Sequence, residues 1–199
     1  MWFRWLMADI FFSRKISNKL TLLKKRKSIQ KIKLLVMDVD GVLTEKGLWV
    51  THEGNVIKRF DVRDGLGIKL IQENGIEVAF LSGGRSGSTN ERAKQLGIKF
   101  CITDIKNKQL ALRKLQKELN LTSLETVYVG DDLNDLVIKN DVSMFFAPND
   151  ACYAVQKKAD FVLSRDGGHG AIRELCEHIL SVKKKLKSLN QLGWLDNND

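Results

Sequence analysis

Short apolar runs alternate with amphipathic stretches along most of the chain. Lys31–Met37 (KIKLLVM) is apolar and ends at acids, as expected of a buried parallel strand. Gly47–Val50 and Val56–Phe60 are rich in Val, Ile, Trp and Phe. The polar segment Thr51–Asn55 lies between them, so the pair reads as a β-hairpin. Asp64 can cap a helix running to Asn74, with Gly75 as its stop. Further strands are predicted at Glu77–Leu81, Lys99–Ile102, Thr126–Val129, Ser143–Ala147 and Phe161–Leu163. Helices are predicted at Ser88–Leu96, at Lys108–Leu119 (apolar at 110, 112, 115 and 119), at Asn134–Asn140 and at Gly170–Val182. Strands and helices in alternation predict an α/β fold, a Rossmann-like doubly wound parallel sheet. Ligands of such sheets bind beyond the carboxyl ends of the strands. The strand-end loops are therefore the segments to read for chemistry.

Composition changes this picture at one end only. Of 199 residues, 43% are hydrophobic, enough for a core. Three cysteines, Cys101, Cys152 and Cys176, are widely spaced with no CxxC pair, which excludes a disulfide scaffold and a zinc finger and fits a reducing compartment. No uninterrupted apolar run is long enough for a transmembrane helix. The net charge of +9 is confined to residues 1–33, which hold ten Lys/Arg against one acid; the remainder holds twenty-three of each. A balanced body argues against nucleic acid as a partner. The chain divides into a basic N-terminal extension (1–30), one domain (31–182) and a C-terminal tail (183–199). The extension reads either as a solvated leader or as an amphipathic segment that touches anionic membrane.

Four strand ends carry unusual chemistry. Asp38-Val39-Asp40-Gly41-Val42-Leu43-Thr44 follows the first strand, Ser82-Gly83-Gly84-Arg85 the next central one, and Gly130-Asp131-Asp132-Leu133-Asn134-Asp135 the strand at Thr126–Val129; Lys108 opens a helix between the last two. Clustered carboxylates raise one another's pKa unless a cation sits among them. Oxygen ligands, few in number, suit Mg2+. Gly41 permits a turn that lets one Asp attack while the other handles a proton. A carboxylate nucleophile with Mg2+ fits phosphoryl transfer through an aspartyl-phosphate. Ser82, the amides of Gly83 and Gly84, and Lys108 are donors for the phosphoryl oxygens. A lone DxDG is equally an Asx-turn and a lone GDD a helix cap; four motifs in order, each at a strand end, favour catalysis.

These motifs resemble the haloacid dehalogenase-like (HAD) phosphohydrolases over Lys31–Leu180. The resemblance implies Asp38 as nucleophile and Asp40 as general acid/base, with the Asp40 carbonyl, Asp38 and Asp131 holding Mg2+. It also implies Ser82 and Lys108 on the phosphate, with Asp132 and Asp135 as supports. DVDGVLT followed by a hairpin, then VRDGLGI, LSGGRS, GDDLND and GGHGAIRE, is similar to the 3-deoxy-D-manno-octulosonate 8-phosphate phosphatase branch. That branch is capless, and about 20 residues from Thr44 to Asp64 and about 25 from Ser82 to Lys108 leave no room for a lid domain. The resemblance implies a cytoplasmic homotetramer in lipopolysaccharide precursor synthesis, acting on a sugar phosphate. Relatives of the branch act on nine-carbon sialic-type 9-phosphates, or serve as inactive partners in sugar-nucleotide pathways. Gly83 and Thr44 are further candidate phosphate or substrate contacts, and Arg63, Arg85 and Arg173 are candidates for the sugar carboxylate. The family often has Arg where His169 stands here.

Overall fold

The structure, a computed structural model, describes residues 20, 21 and 23–194. Most of the basic extension, and with it the membrane-contact expectation, lies outside the described residues. Six parallel strands form the central sheet: β1 (Leu34–Met37), β4 (Glu77–Leu81), β5 (Phe100–Ile102), β6 (Thr126–Val129), β7 (Met144–Ala147) and β8 (Phe161–Val162). Their order is β5-β4-β1-β6-β7-β8. Strands β2 (Trp49–Val50) and β3 (Val56–Ile57) form a separate antiparallel hairpin with Trp49 opposite Ile57. No further domain interrupts the sheet among the described residues, as a capless fold requires.

Strand alternation sorts the core into two layers. Leu35, Met37, Val78, Phe80, Val127 and Val129 face one side, under helices α1 (Arg26–Gln30), α2 (Val62–Glu73), α3 (Ser88–Gln95) and α6 (Ala171–Val182). Leu34, Val36, Ala79, Leu81 and Tyr128 face the other, under α4 (Lys108–Glu118), a 3-10 helix (Leu133–Asp141) and α5 (Tyr153–Lys158). Helix α6 buries Ile172, Leu175, Cys176, Ile179 and Leu180, a stripe at helical spacing. Each such side chain contributes about 1.5–3 kcal/mol on burial, which fixes the face the helix presents.

Several boundaries differ from the expected ones, for physical reasons. Helix α2 is capped by Asp61, whose side chain accepts from Arg63 N at 2.8 Å. Asp64 instead reaches across to α6, accepting from Arg173 N at 2.8 Å and Gly170 N at 3.3 Å. It caps a helix, but a distant one. The segment expected as a helix at Asn134–Asn140 is a 3-10 helix opened by an Asp132/Asp135 capping box. Helices α5 and α7 (Leu186–Leu192) had no counterpart in the sequence reading. Packing crosses both expected domain limits: Ile29 is in the core, and Leu186, Leu189 and Trp194 pack against it. The three cysteines are free thiols. No helix among the described residues is long and apolar enough to cross a membrane.

Candidate active site

The strand order reverses between β1 and β6, and the loops leaving these two strands part there to open a crevice. Asp38 is the first residue past β1, and its amide donates to Val129 O of β6 at 2.9 Å. A cavity of about 800 Å³ opens above, lined by Asp38, Asp40, Ser82, Gly83, Gly84 and Asp131, with Lys46, Ile105, Asp132, Leu133 and Asn134 at its walls. The loop after β1 folds tightly. Gly41 has φ +84°, and a methyl group there would overlap the Asp131 carboxylate. Only glycine combines that backbone with that proximity.

Beneath the cavity lies a buried charge network. Lys108, the first residue of α4, is 3% exposed; its ammonium lies 3.0 Å from Asp38 Oδ2 and 2.6 Å from Asp135 Oδ1. Asp135 is fully buried and saturated. Its Oδ1 also accepts from Tyr128 OH at 2.6 Å, and its Oδ2 accepts from the amides of Asp131 and Asp132 at 2.9 and 3.2 Å. Burial drives the Tyr128 hydroxyl pKa well above its usual range, so it stays a donor. Burial alone would lower the Lys108 pKa; the Asp38 and Asp135 charges reverse this and raise it, so the ammonium persists.

Two carboxyls are out of balance in this network. Burial, then the Asp135 charge, pushes Asp38 up to about 7 against the pull of Lys108. Burial, then Asp38 and Asp135, pushes Asp131 up to about 7 as well. Oxygens of Asp38, Asp131 and Asp135 lie within 4.8 Å of one another. Asp38 Oδ1 is buried and has no donor among the described residues. An unsatisfied buried carboxylate oxygen beside a second carboxyl, in a cluster that no His or Cys joins among the described residues, fits a hard divalent cation. Asp135 has spent its oxygens on four donors, so Asp38 and Asp131 are the side chains left to hold it.

That electrostatics has a measurable sign. The folded, metal-free carboxyls titrate near 7 and ordinary ones near 3.8. Between those values the fold binds more protons than the unfolded chain, so metal-free stability falls as pH rises through the window and levels above it. A cation must displace the protons. Calorimetry in buffers of differing ionisation enthalpy should show Mg2+ binding release about one proton or more at pH 6 and almost none at pH 8.5. Equal release at both values would contradict the assignment of these two carboxyls as ligands.

The structure brings Asp38, Asp40, Ser82, Gly83, Lys108 and Asp131 together as expected from the motifs. Asp132 sits at the rim, accepting from Leu133 N at 2.7 Å as a helix cap, and Asp135 lies below. Four other candidates lie elsewhere. Thr44 is 1% exposed beneath the loop, its hydroxyl bound to Val39 O at 3.3 Å; it braces the turn. Arg63 is held by Asp61 at 2.6 Å and, like Arg173, borders a separate surface pocket near α6. Arg173 pairs with Glu177. Arg85 is exposed and outside the cavity lining. Nothing in the sequence around these arginines distinguishes them, because a side chain's direction is set by the packing around it. His169 Nδ1 lies 2.9 Å from Gly167 O, making it a loop-bracing group.

Two lysines escaped the sequence reading. Lys46 lines the cavity, bonded to Asp150 and 3.9 Å from Asp131 Oδ2. Lys58 leaves the hairpin and reaches Asp40 at 2.8 Å. The lone signal for Lys58 was a lysine among the apolar residues of a strand.

Residues 56–137 match the haloacid dehalogenase-like hydrolase family. The 3-deoxy-D-manno-octulosonate 8-phosphate phosphatase KdsC of Haemophilus influenzae is 38% identical over 178 residues, covering 84% of this chain and 99% of that protein. A crystal structure of the corresponding phosphatase from Moraxella catarrhalis, in complex with a magnesium ion, a phosphate ion and KDO, superposes with a TM-score of 0.82 at 32% identity, covering 86% of this chain and 98% of that one. The cobalt-bound H. influenzae phosphatase gives a TM-score of 0.79 at 39% identity, covering 82% and 95%. Similarity of this extent, running through the same strand-end loops, places the chain in the 3-deoxy-D-manno-octulosonate 8-phosphate phosphatase family of the haloacid dehalogenase-like hydrolases.

Proposed function

We propose that the chain hydrolyses 3-deoxy-D-manno-octulosonate 8-phosphate to the free sugar acid and inorganic phosphate. The observation that carries this reading is the convergence of Asp38, Ser82 and Asp131 on one cavity, with Lys108 beneath it 3.0 Å from Asp38, in a chain similar over 84% of its length to a phosphatase of that name. An Asp38 oxygen attacks phosphorus, the ester P–O bond breaks, and the bonding pair stays on the sugar oxygen. Asp40 gives that oxygen its proton. Asp40, now ionised, takes a proton from water as the water oxygen attacks the aspartyl-phosphate; the Asp38–phosphorus bond breaks and the carboxylate returns. Ser82, Gly83 and Lys108 hold the phosphoryl oxygens. Asp38, Asp131 and the Asp40 carbonyl would hold Mg2+, which when bound neutralises charge on the nucleophile and the phosphoryl group.

The open cavity supports a second part of the reading, a homotetramer whose neighbouring chains narrow each site. Leu48, Trp49, Val50 and Ile57 of the hairpin are all more than half exposed, with Trp49 at 69%, an apolar face that association would cover. A cytoplasmic enzyme of lipopolysaccharide precursor synthesis completes the proposal. Lys46 is the cation among the lining residues, and so the counter-charge one chain offers a sugar carboxylate.

Phosphate release from the eight-carbon 8-phosphate and from a nine-carbon sialic-type 9-phosphate, with and without EDTA, tests the assignment. We expect kcat/KM at least about tenfold higher for the eight-carbon substrate, a difference of about 1.4 kcal/mol in transition-state binding. EDTA should abolish turnover and Mg2+ restore it. A preference for the nine-carbon ester would reassign the substrate, and hydrolysis of neither would remove the phosphatase reading.

A further inference from the structure

Lys58 follows β3 and turns inward, whereas its neighbour Ile57 points to solvent at 56% exposure. The Lys58 side chain is 5% exposed, and its ammonium lies 2.8 Å from Asp40 Oδ1 and 3.0 Å from Asp40 Oδ2. It also donates to Thr89 Oγ1 at 3.1 Å. Thr89 is fully buried in the first turn of α3, and Ser88 beside it donates to Val56 O at 2.6 Å. The hairpin is thus tied to α3 at Val56 and at the lysine itself. Gly84 lies close against the same pair: a Cβ there would stand 2.7 Å from Asp40 Oδ2 and 3.4 Å from the Lys58 ammonium. Asp40 Oδ1, though 2.8 Å from the ammonium, is buried with no hydrogen-bond partner among the described residues, so the pair anchors the carboxyl through Oδ2 and leaves one oxygen in the cavity wall open to a substrate atom.

We propose that Lys58 is a positioning residue for the leaving-group proton. It holds the Asp40 carboxyl toward the ester oxygen and lies against the negative charge that appears on Asp40 when the proton departs. This rests on the reading of Asp40 as the proton donor. In that step the ester P–O bond breaks, its electron pair goes to the sugar oxygen, and the Asp40 proton closes that oxygen as a hydroxyl. The charge that would have sat on an alkoxide sits instead on Asp40, at 2.8 Å from an ammonium. An aryl phosphate such as p-nitrophenyl phosphate departs as a stable phenolate and needs no proton.

The two substrates separate positioning from mere structural support. Lys58→Met should lower kcat/KM for 3-deoxy-D-manno-octulosonate 8-phosphate by about 30- to 100-fold and for p-nitrophenyl phosphate by about threefold, the difference being the general-acid contribution. Lys58→Arg should recover part of the loss on the sugar phosphate. Equal losses on both substrates would overturn the proposal. Asp40→Asn is the control for the underlying reading: it should show the same division between alkyl and aryl esters. If Asp40→Asn shows no division, the role of Asp40 is wrong; if it does and Lys58→Met does not, the lysine alone is misassigned. Should Lys58→Met melt below the assay temperature, the alkyl-to-aryl ratio is read on Lys58→Gln, which removes the charge but keeps a polar group for Thr89, and an unchanged ratio there counts against the proposal.

Discussion

Asp38→Asn is expected to lower kcat on 3-deoxy-D-manno-octulosonate 8-phosphate by at least about a thousandfold, about 4 kcal/mol of barrier, because an amide cannot attack phosphorus to form the acyl phosphate. The fold should survive. Asn fills the same volume, and Lys108 keeps Asp135 at 2.6 Å. Metal-free stability at pH 7.5 should even rise. The folded protein holds Asp38 near 7, so its ionised form is disfavoured there, and the substitution removes that charge from beside Asp131 and Asp135. The thermal shift given by Mg2+ should shrink at the same time, since one of its two carboxylate ligands is gone. Phosphate release and melting curves with and without Mg2+ check both halves. Activity above a tenth of the parent would place the nucleophile elsewhere.

Asp135→Ala should produce the largest loss of stability, about 3–5 kcal/mol, the usual consequence of breaking a buried ion pair from one side. Its two oxygens serve four donors, and all four stay buried without it. Asp135→Asn should also be destabilising, by about 1–3 kcal/mol, since a carboxamide has one accepting oxygen. Oxygen turned toward Lys108 and Tyr128 leaves NH2 facing two backbone amides; the reverse orientation leaves NH2 facing an ammonium. Urea midpoints measure both variants. Loss of the Asp131 amide contact should weaken Mg2+ binding in Asp135→Asn even where the fold persists. A midpoint within about 0.5 kcal/mol of the parent for Asp135→Ala would mean the network is not the keystone of this loop.

The sheet and the acidic loops were legible because both depend on local chemistry. Apolar runs such as Leu34–Met37 and Thr126–Val129 are buried on both faces and bounded by turn residues, so their limits are sharp. Asp38, Asp40 and Asp131 announce themselves by spacing at strand ends. What escaped depends on contacts between remote segments. Asp64 has every local credential of a cap for α2, yet its carboxylate serves α6, 106 and 109 residues away. Arg63 and Arg85 flank the right motifs yet do not line the cavity. Lys58 looked like an ordinary charge in a strand, and its role depends on Asp40 lying 18 residues earlier. Helix α5 is short and polar, held by Val155 in the second core layer, and no periodicity could betray it.

The close seating of Asp131 on Gly41 and of Asp40 on Gly84 carries a practical lesson for anyone wishing to retrain this enzyme on other phosphate esters. Neither glycine admits a library, for any larger residue collides with a reacting or ligating carboxylate. The catalytic floor is a fixed die, and variety must be cut into the rim, where Lys46, Ile105, Leu133 and Asn134 face the incoming molecule with side chains that engineers can exchange freely.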